Sequence, residues 1–373
     1  MPKLKILFIG LLIVFFLVKI YPFRQKLFGT FNYKDLENSY NHSQFAPNPS
    51  DAVSVIDDDQ LYQYAGYIYV TQGVIDSVNV EHPPLVKYLY GLGLILFGNA
   101  VLIQLIFAIG FLIVSYLLAD KILKNTYLAL LIPFFLINES LFINQATTTL
   151  LDLFQTMCVL LFMFVYLISP DNNPRLYVLL GIILSLIAAS KFPALAVIVL
   201  LSLFIFELAW KKFNLKNFAI LAVVALLLYL TTYSPLLITQ GFSGFIRVQL
   251  QAAHIHASHV PNYPFLAPIR VFFLNQWPVW FDSQNPIHQT AFWSFLWPIL
   301  GLTIFASPML FLTKKIEQSF IIIFTWLYFI FINSRLFFPH YLLPLLPITY
   351  ILFILEIRSL IKKISPNRLL SKL

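Results

Sequence analysis

Apolar runs near twenty residues long recur along the whole chain, and nothing constrains its fold more tightly. A helix needs about 20 apolar residues to cross roughly 30 Å of hydrocarbon. The runs lack the alternating ten-residue pattern of an outer-membrane barrel. Helices are then the way to satisfy the backbone in lipid. The runs read as ten spans over residues 5–21, 99–119, 127–144, 150–168, 176–190, 192–210, 218–238, 290–312, 319–334 and 341–357. Only 11% of residues are charged, whereas a soluble domain carries about 25%. The expected fold class is an all-α polytopic membrane protein, a bundle of about ten transmembrane helices with two long outside loops.

Charge orients the bundle. With ten spans, one side receives Lys3, Lys5, Lys121, Lys124, Arg175, Lys211, Lys212, Lys216, Lys314, Lys315, Arg358, Lys362, Lys363, Arg368 and Lys372, which is 15 of the 24 basic residues. The positive-inside rule makes that side cytoplasmic, with both termini there and the chain in the plasma (inner) membrane. Asp57, Asp58, Asp59, Asp76 and Glu81 fall outside. The net charge of +8 is therefore a topology signal. No basic stripe interleaved with aromatics offers a nucleic-acid surface. The first run starts basic but has no small-x-small cleavage site before Tyr21, so it reads as an uncleaved helix. The single cysteine, Cys158, excludes an internal disulfide and a cysteine zinc site.

The chain reads as one membrane domain over 1–373, with outside segments at about 24–84 and 239–289 that hold most of the polar chemistry. In the first, Asp57, Asp58 and Asp59 precede a helix that Gly73 stops. Capping needs one or two acids. Three adjacent carboxylates repel, which leaves a raised pKa, a bound divalent cation or a basic partner open. Then comes Glu81-His82-Pro83-Pro84-Leu85-Val86-Lys87, where two prolines pre-set a helix over 85–97. Its lysine either snorkels or joins the histidine in holding a phosphate.

Asp152 and Lys191 stand at the outer ends of the fourth and fifth spans. Ionisable residues at membrane level are functional by default, and snorkelling is the alternative. The second outside segment carries Arg247, His254, His256, His259, Arg270, Trp277 and Trp280. Histidines at i, i+2 and i+5 do not share a helical face, so no preformed zinc site is expected from them. The tryptophans read as an interfacial belt, with substrate contact as the alternative.

In order along the chain, these segments resemble the protein O-mannosyltransferase family and its bacterial relatives, within the GT-C class of membrane glycosyltransferases. The acidic cluster resembles that family's Asp-Glu or Asp-Asp pair, and Glu81 to Lys87 its His-Pro-Pro-Leu-Gly-Lys segment, with Val86 in place of glycine. Glu81 also resembles the glutamate before the Pro-Pro of aminoarabinose transferases. Leu150-Leu151-Asp152 is similar to the family's Leu-Leu-Asp, and Ser190-Lys191-Phe192 to its Ser-Lys-Trp. His254 to Pro264, Trp277 to Trp280 and Pro339-His340-Tyr341-Leu342-Leu343-Pro344 are similar to later family segments. The match departs at Thr147, where the family usually carries an arginine.

The resemblance implies a GT-C-type bundle and a sugar donor on a polyprenyl phosphate. It also implies transfer on the outer face to a hydroxyl of a protein, lipid or glycan, with inversion. Asp58 is the first candidate for the base, because Tyr62 and Ala65 then match the family's Asp-x-x-x-Tyr-x-x-Ala, and Asp57 and Asp59 follow. Lys87, Arg247, Arg270, Arg335 and Lys191 are the cations for the leaving phosphate. Glu81, His82, Asp152, His254, His256, His259, Trp277, His340 and Tyr341 are the further substrate contacts. The rival reading is a transporter or flippase, which would place its ionisable residues at the bilayer midplane in repeated halves.

Overall fold

Every one of the ten apolar runs contains helix, but caps and breaks shorten most of them. The structure is a computed structural model and describes residues 2–46, 55–169, 173–258, 266–279, 282, 284–313, 316–334 and 337–364. Among the described residues, Lys3–Phe28 and Val101–Leu123 are each long and apolar enough to cross a membrane alone. Two bent helix pairs pass only if each counts as one span. Asp152–Ile168, Pro174–Ser190 and Pro193–Ala209 have 17 residues each. At 1.5 Å per residue that is roughly 25 Å, the lower limit for a span. The limits come from local chemistry. Asn173 caps one helix, with Pro174 as its first residue, and Pro193 starts the next.

Three spans differ from the sequence expectation. Residues 127–144 form two helices, α7 (Thr126–Asn138) and α8 (Ser140–Thr147), bent by 71° at Glu139. Residues 218–238 do not cross as one rod: α12 (Leu215–Thr231) turns by 103° into α13 (Ser234–Ser258). Gly241, with a positive φ of 66° that suits glycine, kinks α13 again. The eighth span begins only at Trp297, as α15 (Trp297–Ala306), with Pro298 in its first turn.

Two buried carboxylates also escaped the sequence reading. Glu139 sits at the break between α7 and α8. It accepts from Trp297 Nε1 at 3.0 Å and from the hydroxyl of Tyr350 on α17 (Leu345–Ile364). Glu207 takes the hydroxyls of Tyr166, at 3.1 Å, and Tyr177. Each carboxylate ties three helices together at membrane depth, where an unmatched polar group is costly.

The first outside segment folds onto the bundle through α4 (Asp58–Gln72) and α5 (Leu85–Phe97). These two helices touch backbone to backbone. A Cβ on Gly66 would strike the carbonyl of Lys87, and one on Gly91 the carbonyl of Gly66. Gly73 and Gly98, both left-handed, end the two helices.

Candidate active site

The acidic cluster divides into three jobs. Asp57 is the N-cap of α4 and forms a capping box with Gln60, whose Oε1 accepts from the Asp57 amide at 3.3 Å. Asp59 accepts from the Gln60 amide at 2.9 Å. Its carbonyl takes the Thr149 hydroxyl at 3.0 Å, and Thr149 in turn accepts from Gln63 at 3.0 Å. That chain straps the start of α4 to the turn before α9 (Asp152–Ile168). Asp58 is left exposed, with the Tyr62 hydroxyl as its hydrogen-bond donor. Surrounding protein raises its carboxyl above the usual aspartate range, and the charges of Glu81 and Asp152 add to this. Lys191 and the Tyr62 hydrogen bond pull it back down.

Facing Asp58 is an ion cluster built from three elements. Asp152 opens α9, where the helix dipole favours a carboxylate. Lys191 lies in the break between α10 (Pro174–Ser190) and α11 (Pro193–Ala209), its side chain 3% exposed. Gln155 fixes that break by donating to the carbonyls of Ile187 and Phe192, at 2.9 and 3.0 Å. Lys191 Nζ then donates to both Asp152 oxygens, at 2.8 and 3.0 Å, and meets His340 Nε2 at 3.3 Å. The rings of Phe192 and Tyr341 lie 5.1 and 5.2 Å from the same ammonium. Burial lowers His340 to about 4, so it is neutral at pH 7 and its Nε2 can accept from Lys191. Asp152, Phe192, Tyr328 and Tyr341 line a cavity of about 10 Å³, room for one water at most.

A second cluster joins the two outside segments. Glu81 Oε1 lies 3.4 Å from His256 Nδ1 and 3.9 Å from His82 Nε2. The His82 ring packs against Tyr62, Phe192 and His256. These three residues could hold a divalent cation, since their ligand atoms lie within 4.8 Å of one another. Zinc with bonds of 2.0–2.1 Å sets tetrahedral ligands roughly 3.3 Å apart, so the side chains would draw in by up to about 1.5 Å, and a fourth position would stay open. Sequence spacing could not reveal this site, because Glu81 and His256 are far apart in the chain. Equilibrium dialysis of the purified protein against zinc checks it. Glu81→Gln is expected to weaken binding by more than about tenfold. Equal zinc binding by both proteins would reduce the cluster to hydrogen bonding.

The remaining sequence candidates divide sharply. Lys87 is corrected: its ammonium is fully buried and does not open onto the cavity. It meets the carbonyls of Asn79 and His82 at 2.6 and 2.7 Å, Asn79 Oδ1 at 3.0 Å and the Tyr69 hydroxyl at 3.3 Å. All of its hydrogens serve the loop that carries Glu81 and His82, so none is left for a phosphate. Burial holds the amine well below the usual lysine range, opposed by the charge of Glu81. Lys87→Met strands the buried His82 carbonyl, at about 1–3 kcal/mol, and leaves the Asn79 carbonyl with only the Tyr69 hydroxyl at 3.4 Å. The amides of residues 79–82 should then exchange hydrogen faster, and unchanged exchange would show that the clamp contributes nothing.

Arg247 pairs with Asp76 at 3.2 Å, and Arg270 is exposed on α14 (Ala267–Leu274). His254 is exposed and stands apart from the Glu81 cluster. Trp277 donates from Nε1 to the Phe337 carbonyl at 3.0 Å and packs on Phe338, which stacks on His340. It therefore braces the His340 segment and is more than an interfacial belt. His259 and Arg335 lie outside the described residues.

No protein-family model matches the sequence, and no curated protein matches it either. Solved structures do match by shape. ArnT from Cupriavidus metallidurans bound to undecaprenyl phosphate superposes with a TM-score of 0.62 at 14% identity, over 94% of this chain and 59% of that one. Its apo form gives 0.59 at 16% identity. The Archaeoglobus fulgidus oligosaccharyltransferase tethered with an acceptor peptide gives 0.54 at 13%, over 96% of this chain and 50% of that one. Both proteins are GT-C glycosyltransferases. This chain has the GT-C fold. It spans little more than half the length of the proteins it superposes on. The GT-C fold bears out the expected all-α polytopic membrane architecture.

Proposed function

We propose that the chain is a glycosyltransferase that moves a sugar from a polyprenyl-phosphate donor to an acceptor hydroxyl at the outer face of the membrane. The observation that carries this reading is Asp58. On a GT-C fold, it takes a hydrogen bond from the buried Tyr62 hydroxyl and lies within the fields of Lys191, Glu81 and Asp152. The undecaprenyl phosphate bound by ArnT supports the donor class, and the acceptor peptide tethered to the oligosaccharyltransferase supports a second substrate that receives the sugar. An open apolar groove of about 470 Å³, lined by Ile205, Ile322, Ile323, Trp326 and Leu327, gives a long hydrocarbon chain a place beside the bundle.

In this mechanism Asp58 takes the proton of the acceptor hydroxyl as its oxygen attacks the anomeric carbon. The bond to the phosphate oxygen breaks and the lipid phosphate leaves with the electron pair, inverting the centre. Lys191, buried beside Asp152, and Arg270, exposed on α14, are the cations proposed for that charge. A divalent cation at Glu81, His82 and His256 would supply further neutralisation. The test is transfer by purified protein across a panel of polyprenyl-phosphate sugars, with Asp58→Asn as the control. Turnover that the control retains in full would exclude this site.

The orientation belongs to the same proposal, with both termini cytoplasmic in the plasma membrane. A cysteine replacing exposed Ser77 should react with an impermeant thiol reagent from outside intact cells, and one replacing Asn214 should not. Labelling at Asn214 would invert the topology.

A further inference from the structure

α13 changes character at Gly241. The helix leaves the end of α12 at 103°, so a segment that follows a span turns to run along the membrane face. Beyond the kink its residues sort into three sectors around the axis. One packs on protein: Phe245 and Val248 are buried, and the Phe245 ring lies 5.2 Å from that of Tyr233. The next is apolar and exposed. Each four-residue step turns a helix by about 40°, so Phe242, Ile246 and Leu250 share one stripe about 80° wide, and Ala253 and Ala257 fall inside it. The three large side chains are 62%, 41% and 66% exposed. The third sector is polar: Ser243, Arg247, Gln251 and His254 are all exposed, and Arg247 reaches Asp76 at 3.2 Å.

A helix in water has no reason to part its exposed arc into an apolar half and a polar half. A helix lying at the boundary of hydrocarbon and water has that reason. The stripe also continues a surface that faces lipid. Val223, Leu226 and Leu227 of α12 are more than half exposed, and Ile238, at 83%, follows them in the chain just before the kink. The large members of the stripe stand at the Gly241 end and its alanines at the other, so the helix lies shallower toward His256. We propose that this half of α13 is a membrane-seated arm. The acyl chains of the adjoining leaflet hold Phe242, Ile246 and Leu250, and that seat fixes the height at which His256 meets Glu81. His256 follows the stripe on the same helix and closes on Glu81 at 3.4 Å, with the His82 ring 5.8 Å from its own. The lipid is thus a partner that helps assemble the cluster joining the two outside segments. This role is independent of which reaction the site performs.

The test reads the surroundings of the arm in full-length protein in lipid nanodiscs. Cys158 is buried, so a nitroxide attaches only at the new thiol of Ile246→Cys, Leu250→Cys, Ser243→Cys or Gln251→Cys. Relaxation by oxygen, which concentrates in hydrocarbon, is compared with relaxation by a water-soluble nickel chelate. Oxygen should dominate in the first two variants and nickel in the last two. Nickel dominating in all four would leave the stripe in water and overturn the seat. Weak relaxation by both reagents in the first two would mean that a second copy or another protein covers the stripe. Oxygen dominating in all four would submerge the whole helix. Either result also overturns the proposal. The link to His256 is read by cross-linking Glu81→Cys/His256→Cys with a short bis-maleimide. Adding Ile246→Glu/Leu250→Glu should slow that cross-link severalfold, whereas Ser243→Glu/Gln251→Glu should leave it unchanged. Equal rates in these two backgrounds would overturn the hold of the seat on His256.

Discussion

Asp58→Asn should abolish transfer with the fold intact. General-base catalysis contributes about 10²–10⁴-fold, and asparagine keeps the size while removing the proton acceptor. The parallel variants separate the three acids. Asp57→Asn should stay active, because asparagine caps a helix about as well as aspartate. Asp59→Asn should stay active, because the Asp59 side chain serves the Gln60 amide at the start of α4 and an asparagine oxygen can accept the same bond. The pH profile adds a second signature. A base works only when ionised, so activity should fall as pH drops through the Asp58 pKa. Because the surrounding protein raises that pKa by limiting the solvation of the carboxylate, the acid limb should lie above the ordinary aspartate value of about 3.9. Full activity of Asp58→Asn in well-folded protein would remove the acid from the mechanism.

The second large effect is on stability. Lys191→Met should lower the thermal midpoint in nanodiscs steeply, because it leaves Asp152 buried without its cation. Breaking such a pair costs about 3–5 kcal/mol. Asp152→Leu should do the same from the other side. Combining the two removes both charges and should restore much of the stability, since buried pairs replaced by apolar groups are often close to neutral. The double variant should still be inactive if the pair serves the leaving phosphate. A midpoint in Lys191→Met equal to that of the wild type would show that the pair holds nothing together.

Much of this was legible from the order of residues. Apolar runs placed the helices, since their length is set by the bilayer. The motif register around Tyr62 put Asp58 first among its neighbours, and two separate motifs held Asp152 and Lys191, whose pairing only the fold reveals. What escaped depends on the third dimension. Whether Lys87 opens to a cavity or clamps a loop turns on where the chain from Asn79 to His82 folds back, which spacing cannot show. His256 reaches Glu81 only because α13 departs from α12 at 103°. Glu139 was visible as a lone acid inside an apolar run, a signal worth heeding whatever its role.

That glutamate also bears on how the protein is made. Its two partners lie 158 and 211 residues further along the chain. At 5–20 residues per second, a ribosome takes on the order of ten to forty seconds to supply them. Through that interval the nascent third span carries a carboxylate with neither native donor. The bend at Glu139 can close only after Tyr350 on α17 has emerged. The membrane insertion machinery must therefore shelter this segment, or let it rest at the surface, until then.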